Sequence, residues 1–223
     1  MDSTAVEALF PDLPDLDEVG GDQDALDNVE TARDKVKYAF DLSSAQDWDE
    51  EKITDEAKLW SKMTDGSSLK MYKRTMEVGA SLNKTVEWFK NIENLKKVNE
   101  TVAEAKTLET ITDDCWYTYS EYQGNFLVSN RDVSAFHYRM TLTDGSIIII
   151  SFSCEHPDAP TKEGVVRSDV EVYCYHFSEV SANKTLITHI GRSDVKGSIP
   201  TTFVNWLSTL QHDEFINIQK EIK

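Results

Sequence analysis

The chain has 223 residues, of which 39% are hydrophobic, so it is long and apolar enough to form the core of one domain. Its formal net charge is −17, and residues 1–51 alone hold 16 acidic against 3 basic side chains. This excess argues against nucleic acid as a partner and against electrostatic anchoring on an anionic membrane, because both require clustered Lys and Arg.

The sequence also lacks the features of membrane-inserted, secreted and metal-binding proteins. It has no run of about 18 apolar residues, and its first residues lack the basic region and apolar core of a secretory signal. Its three cysteines, an odd and small number, indicate reduced thiols rather than a disulfide framework. Its five histidines show no metal-ligand spacing. We therefore expect a cytoplasmic protein with no metal and no cofactor.

The N-terminal part of the chain divides at residue 22. Residues 1–22 are rich in Asp, Pro and Gly, and we expect them to form a flexible acidic extension. Across residues 24–40, apolar side chains recur at spacings of three and four, which predicts an amphipathic helix packed on a domain. That domain is predicted to comprise residues 23–223.

A hairpin and a helical stretch follow. Asp65-Gly66 is a strong two-residue turn signal, and it lies between the predicted strands 57–63 and 68–78. Residues 81–98 are predicted to form one or two helices, with Ser81 as the N-cap.

Strand patterns dominate the second half of the chain. The predicted strands are 102–111, 114–123, 133–142, 146–155, 164–177 and 185–195. Every residue of 147–150 is isoleucine, so both faces of that strand should be covered. A long amphipathic helix begins near Pro200 and continues to the C-terminus. This order predicts an α+β domain in which one long helix lies across a curved antiparallel sheet.

Four blocks of this region carry a resemblance to a known family. They are the segments 129–136 (SNRDVSAF), 144–151 (DGSIIIIS), 155–169 (EHPDAPTKEGVVRSD) and 194–207 (DVKGSIPTTFVNWL). In order and spacing they resemble the signature blocks of START domains, the lipid-transfer domains related to the steroidogenic acute regulatory protein. With the last helix included, the resemblance covers residues 45–223.

The resemblance implies a helix-grip fold, in which the curved antiparallel sheet wraps around the C-terminal helix and leaves an internal hydrophobic tunnel. Family members hold one lipid there, such as a sterol, phosphatidylcholine or ceramide, and transfer it between membranes or sense it, and for this chain we expect a sterol or a phospholipid. We therefore expect a monomer that contacts membranes transiently and is not an enzyme. The expected inner surface shows little positive charge, which favours a sterol or another weakly polar lipid.

The resemblance also indicates which residues face the lipid. Many members place an arginine where His137 stands, and an acidic partner on the preceding strand, near Tyr117 or Thr118, where no acid stands here. Arg139 shares the strand parity of His137 and is the candidate substitute for that arginine. The expected ligand-binding residues are His137, Arg139, Tyr117, Thr118 and Tyr173, with Val204, Leu207 and Phe215 as the helix wall. No catalytic residue is expected.

The residues themselves leave the orientation of His137 open. Alternation makes Phe136, Tyr138 and Met140 an apolar face, which turns His137 and Arg139 outward. The family placement turns His137 inward. We favour the inward placement, because the N-terminal helix can cover the outer face of this strand.

Two other functions are compatible with these residues. One is an enzyme of the wider helix-grip superfamily that acts on a hydrophobic small molecule, with His137 as general base. The other is an interaction module without a cavity, in which the acidic N-terminus is a docking arm. Loss of turnover in His137→Ala would favour the enzyme, and a tunnel filled by side chains would favour the module.

Overall fold

The computed structural model describes residues 8–125, 128–199 and 201–222, and their side chains except those of 201–203 and 205–211. In this part of the chain, one sheet carries helices on both of its faces. The helices are α1 (Gln23–Ser44), α2 (Leu82–Lys90), α3 (Leu95–Val98) and α4 (Thr201–Glu221), with a 3-10 turn at Ile92–Asn94. The strands are β1 (Asp49–Ile53), β2 (Ala57–Lys62), β3 (Met71–Val78), β4 (Val102–Thr110), β5 (Cys115–Tyr122), β6 (Asn130–Thr141), β7 (Ile147–Ser153), β8 (Val165–Arg167), β9 (Asp169–Ser181) and β10 (Lys184–Asp194).

The sheet is antiparallel along its whole main path. Its strand order is β1-β2-β3-β10-β9-β7-β6-β5-β4, and β8 lies off this path, where it pairs in parallel with β6. The hairpins β2–β3 and β6–β7 confirm the two predictions based on Asp-Gly turns. Gly145 has a φ of +84°, the left-handed region that glycine adopts without steric cost.

The outer face of the sheet is the one that α1 covers. Its apolar cluster joins Val29 and Val36 of α1 to Phe136, Ile148 and Ile150 of the central strands. The predicted spacing of apolar residues in this helix is therefore confirmed, because the buried positions of α1 recur every three or four residues.

The inner face is the one that α2 and α4 cover. Its cluster joins Ile147, Ile149 and Phe177 of the sheet to Val86 of α2 and Phe215 of α4. The four isoleucines of β7 thus alternate between two covered faces, as their unbroken apolar run predicts. The order of elements and the C-terminal helix confirm the predicted α+β class.

Two elements differ from the predictions. The predicted strand 164–177 is two strands, because Ser168 interrupts the pairing and donates its backbone N–H to the carbonyl of Asp132 at 2.8 Å. The edge strand β1 was not predicted, because its sequence DEEKI is exposed at every position and carries no alternation.

Part of the predicted N-terminal extension contacts the domain. Phe10 and Val19 are buried in the outer-face cluster, and the backbone N–H of Thr143 donates to the carbonyl of Leu9 at 3.0 Å. The division of the chain at residue 22 stays a prediction. No helix in the part of the chain described here is both long and apolar enough to cross a membrane.

Candidate functional site

His137 lies on the inner face, as the family placement predicts. Its neighbour across the strand pair is Trp116, which belongs to the inner-face cluster. The two rings stack with centroids 5.1 Å apart and planes only 7° from parallel. Alternation failed to show this orientation because Phe136 and Met140 pack under α1, so the outer face of β6 is apolar as well.

The imidazole of His137 is neutral. Its Nε2 lies 2.7 Å from the hydroxyl oxygen of Thr118, the neighbouring inner-face residue of β5. Burial lowers the pKa of His137 to about 3, because a charged imidazole would lose its hydration there. Arg139 follows on the same face, and its Nη1 donates to Asp114 Oδ1 at 2.8 Å. The structure therefore brings together His137, Arg139 and Thr118 of the predicted set.

Tyr117 lies on the other side of the sheet from His137, because consecutive residues of a strand point to opposite faces. Its hydroxyl accepts a hydrogen bond from Asn28 Nδ2 of α1 at 3.1 Å, and burial raises its pKa to about 12. It borders an outer-face pocket of about 380 Å³ that acidic residues, among them Asp24 and Asp27, also line. Tyr117 is thus separated from the other predicted ligand-binding residues.

Tyr173 and Phe215 of the predicted set lie on the inner side. The hydroxyl of Tyr173 shares a hydrogen bond of 2.9 Å with that of Ser193. Phe215 of α4 is buried, and its ring stacks near that of Tyr175, with centroids 6.3 Å apart. Val204 is also buried. The side chain of Leu207 lies outside the described residues.

The structure adds an arginine to the inner face that the sequence reasoning missed. Arg74 of β3 is 2% exposed, and it pairs across the sheet with His189 of β10, which is also 2% exposed. Arg74 Nη1 lies 3.2 Å from His189 Nδ1, so the imidazole accepts this bond, since a guanidinium nitrogen only donates. Strand parity could have revealed Arg74, because it shares a face with the apolar Met76 and Val78.

Two side-chain hydrogen bonds join α4 to the last residue of α3 and to the residue that follows it. Asn99 Nδ2 donates to Glu214 Oε2 at 2.8 Å, and Asn217 Nδ2 donates to the carbonyl of Val98 at 3.2 Å. Burial raises the pKa of Glu214, while the bond from Asn99 and the charge of Arg74 act in the opposite direction. The carboxyl group of Glu214 is therefore partly withdrawn from bulk water beside Asn99.

Four groups on the inner face of the sheet and on α4 are desolvated although part of their surface stays accessible to solvent. Tyr122, His137, Tyr175 and Glu214 are each partly exposed. Burial is nevertheless the largest cause of their pKa shifts, upward for the tyrosines and the glutamate and downward for the histidine. These groups are therefore removed from bulk water without being covered completely.

Comparison with known proteins shows which family this chain matches. The family model described as "START domain" matches residues 29–222. The mitochondrial steroidogenic acute regulatory protein of Danio rerio is 26% identical over 132 residues, which cover 57% of this chain and 46% of that protein. The protein of the same name from Oncorhynchus mykiss is 30% identical over 141 residues, which cover 60% and 48%. The chain thus matches about half the length of each relative.

Solved structures share the fold. Human STARD10 superimposes with a TM-score of 0.74 at 20% identity, covering 84% of this chain and 79% of the other. Human StAR-related lipid transfer protein 5 gives a TM-score of 0.75 at 17% identity, with coverage of 86% and 95%. These likenesses confirm the predicted helix-grip fold.

Proposed function

Because this chain belongs to the START domain family, we propose that it binds one lipid molecule between the inner face of its sheet and α4. It then carries this lipid between membranes or senses it. The proposal rests on the matched region, which includes all ten strands of the sheet and the whole of α4. A similar protein is named for lipid transfer, human StAR-related lipid transfer protein 5.

The observation that carries the proposal is the state of Tyr122, His137, Tyr175 and Glu214. A side chain at the outer surface keeps its hydration, so burial does not shift its pKa, and a side chain in a filled core has no accessible surface. These four groups keep accessible surface, yet burial shifts the pKa of each. Both properties together are expected of groups that border an interior space. They favour a lipid-binding cavity over the interaction module with a filled tunnel.

Binding draws on apolar contact and on a few polar groups. Burial of lipid surface against residues such as Phe215 contributes about 25 cal/mol per Å². His137, Thr118 and Tyr173 offer neutral hydrogen-bonding groups to the lipid head, and Arg139 lies at the end of the same row. The buried Val204 belongs to the proposed wall on the side of α4, and Leu207 stays a predicted member of that wall. Tyr117 is left out of the proposed site because it faces α1.

The enzyme hypothesis receives less support than binding. Its candidate general base is His137, and a pKa of about 3 makes this imidazole a weak base at neutral pH. The proposed role is therefore that of a monomeric binding protein in the cytoplasm, which touches a membrane only while α4 loosens to exchange its lipid.

A transfer assay tests the function. Donor vesicles carry a fluorescent sterol or a fluorescent phosphatidylcholine with a quencher, and acceptor vesicles carry neither. The proposal predicts that catalytic amounts of protein accelerate dequenching for at least one of the two lipids. Phe215→Asp serves as the matched variant, because it places a charge in the proposed wall. No acceleration with either lipid, together with no lipid retained by the protein, would contradict the proposal.

A further inference from the structure

The C-terminal half of α4 is held against the sheet by apolar side chains and by polar side chains that have partners. Among the polar ones, Gln219 Nε2 donates to the carbonyl of Glu77 at 2.8 Å, and Asp213 pairs with Lys52 at 3.1 Å. The two hydrogen bonds at α3 add to these contacts. The buried apolar members belong to the inner-face cluster; they are Phe215, Ile218 and, directly after the helix, Ile222.

His212 is a buried polar residue of this half of α4 without such partners. It is 0% exposed, and it lies three residues before Phe215, which places both side chains on the buried side of the helix. Neither nitrogen of its ring has a hydrogen-bond partner in the part of the chain that the structure describes, and neither contacts solvent. A neutral imidazole has one N–H group that donates and one nitrogen that accepts. His212 therefore buries an unpaired donor and an unpaired acceptor.

The surroundings of His212 keep its ring neutral. Lys52 of β1 and Arg74 of β3 act on it from the sheet, and Asp213 acts on it from α4 itself. Burial is the largest cause that lowers the pKa of His212, the two cations lower it further, and Asp213 opposes them. The imidazole is therefore uncharged at neutral pH, and its donor and its acceptor both stay unused.

The cost of this arrangement depends on whether α4 is packed against the sheet. In the packed state, the two nitrogens of His212 have lost their hydrogen bonds to water and have gained none in return. Once α4 leaves the sheet, water bonds to both of them. Burial of an unpaired polar group is unfavourable, whereas burial of an apolar side chain of the same size is favourable. His212 therefore shifts the equilibrium towards the released helix.

We infer that His212 sets how often α4 leaves the sheet and, through this motion, how fast the protein exchanges its lipid. The inference rests on the proposed function, in which the lipid lies between the sheet and α4. His212 is a positioning residue, since it acts through the packing of the helix and not through contact with the lipid. The apolar cluster around Phe215 keeps the packed state dominant, and the imidazole makes release more frequent than an apolar residue would allow.

The test substitutes His212→Leu, because leucine has a similar volume and carries neither a donor nor an acceptor. Hydrogen exchange followed by mass spectrometry measures how often α4 opens. In wild type, amides of α4 should exchange faster than those of β9, because the helix opens without unfolding of the sheet. In His212→Leu, exchange in α4 should slow at least about fivefold, the factor that corresponds to one unpaired buried group. Loss of a preloaded fluorescent sterol or phosphatidylcholine to acceptor vesicles should slow by a similar factor, whereas a merely structural role would change stability alone.

Further variants separate the polarity of His212 from its shape and its position. His212→Gln keeps a donor and an acceptor in the buried position, so both rates should stay within about twofold of wild type. His156→Leu makes the same change at the outer-face pocket, where His156 Nε2 lies 3.0 Å from Glu109 Oε2, and it should leave both rates unchanged. His212→Met repeats the test if His212→Leu does not fold.

The outcomes distinguish this inference from the proposed function. Unchanged exchange in α4 of His212→Leu, or a His212→Gln variant as slow as His212→Leu, would overturn the role of His212. Slower exchange in α4 with unchanged loss of lipid would overturn its link to lipid exchange. A wild-type protein that retains neither lipid would contradict the proposed function, and hydrogen exchange in α4 would still decide whether His212 weakens the packing of the helix.

Discussion

The hydrogen bond between Asn99 and Glu214 offers a sharp test of how α4 is held. The substitution is Asn99→Asp, which changes one side-chain NH2 group into an oxygen. Asn99 Oδ1 accepts hydrogen bonds from the backbone N–H and the hydroxyl of Thr101, and an aspartate keeps both. The variant loses the N–H group that donates to Glu214 Oε2. It also places a second carboxyl group within hydrogen-bond distance of Glu214.

The expected cost depends on pH. A hydrogen bond to a charged group contributes about 1.5–3 kcal/mol, and the variant can remake this bond only when one of the two carboxyl groups binds a proton. That proton is held more tightly in the folded state than in the unfolded state, so the free energy of unfolding falls as pH rises. We expect Asn99→Asp to lose about 2–3 kcal/mol relative to wild type near pH 8 and well under half of that near pH 5.

Urea denaturation at both pH values, followed by far-UV circular dichroism, measures this difference. The control is the double variant Asn99→Asp with Glu214→Gln, in which the new amide donates to the aspartate and reverses the bond. It should recover most of the stability at pH 8. A loss that is the same at both pH values, or a double variant as unstable as the single one, would refute the reasoning.

Three further predictions concern the same fold. Phe215→Asp should abolish retention of lipid through gel filtration, because it places a charge in the proposed wall; a folded variant that retains lipid would exclude Phe215 from it. As pH falls from about 6.5 towards about 3, the free energy of unfolding should decrease less in His137→Leu than in wild type. The reason is that the imidazole of wild type resists protonation in the folded state and accepts a proton in the unfolded state. Identical acid denaturation curves would show that His137 is not desolvated. Asp132→Asn should destabilise the protein by about 3–5 kcal/mol in urea, since it breaks the two-pronged pair, at 2.7 and 3.0 Å, between the buried Asp132 and the partly buried Arg167. Asp213→Asn breaks the exposed pair with Lys52 and should lower the free energy of unfolding by less than about 1 kcal/mol. Similar losses in Asp132→Asn and Asp213→Asn would contradict this ranking.

Local chemistry in the sequence was enough to predict most of the elements. The Asp-Gly turns, the apolar spacing of α1 and the isoleucine run of β7 each follow from short-range pattern, and each was confirmed. The edge strand β1 was not predicted, because an exposed strand needs no alternation of apolar and polar residues. The orientation of His137 required the family resemblance, since both faces of β6 are covered and alternation no longer distinguishes them.

The polar groups of the site were harder to predict. In the segment MYKRTMEV, Arg74 follows Lys73 and has the appearance of a second surface charge, yet it is buried opposite His189. The premise that the inner surface carries little positive charge was therefore wrong. Tyr117 was misplaced for a simpler reason, because it and Thr118 are consecutive and cannot share a face.

The most direct test of the central claim is native mass spectrometry of the purified protein, followed by organic extraction and identification of any lipid released. The account predicts a complex with one lipid molecule per chain, or an apo protein that takes up one molecule from vesicles containing sterol and phospholipid. It also predicts that Phe215→Asp lacks this adduct. A folded wild-type protein whose mass stays that of the chain alone after incubation with both lipids would contradict the claim.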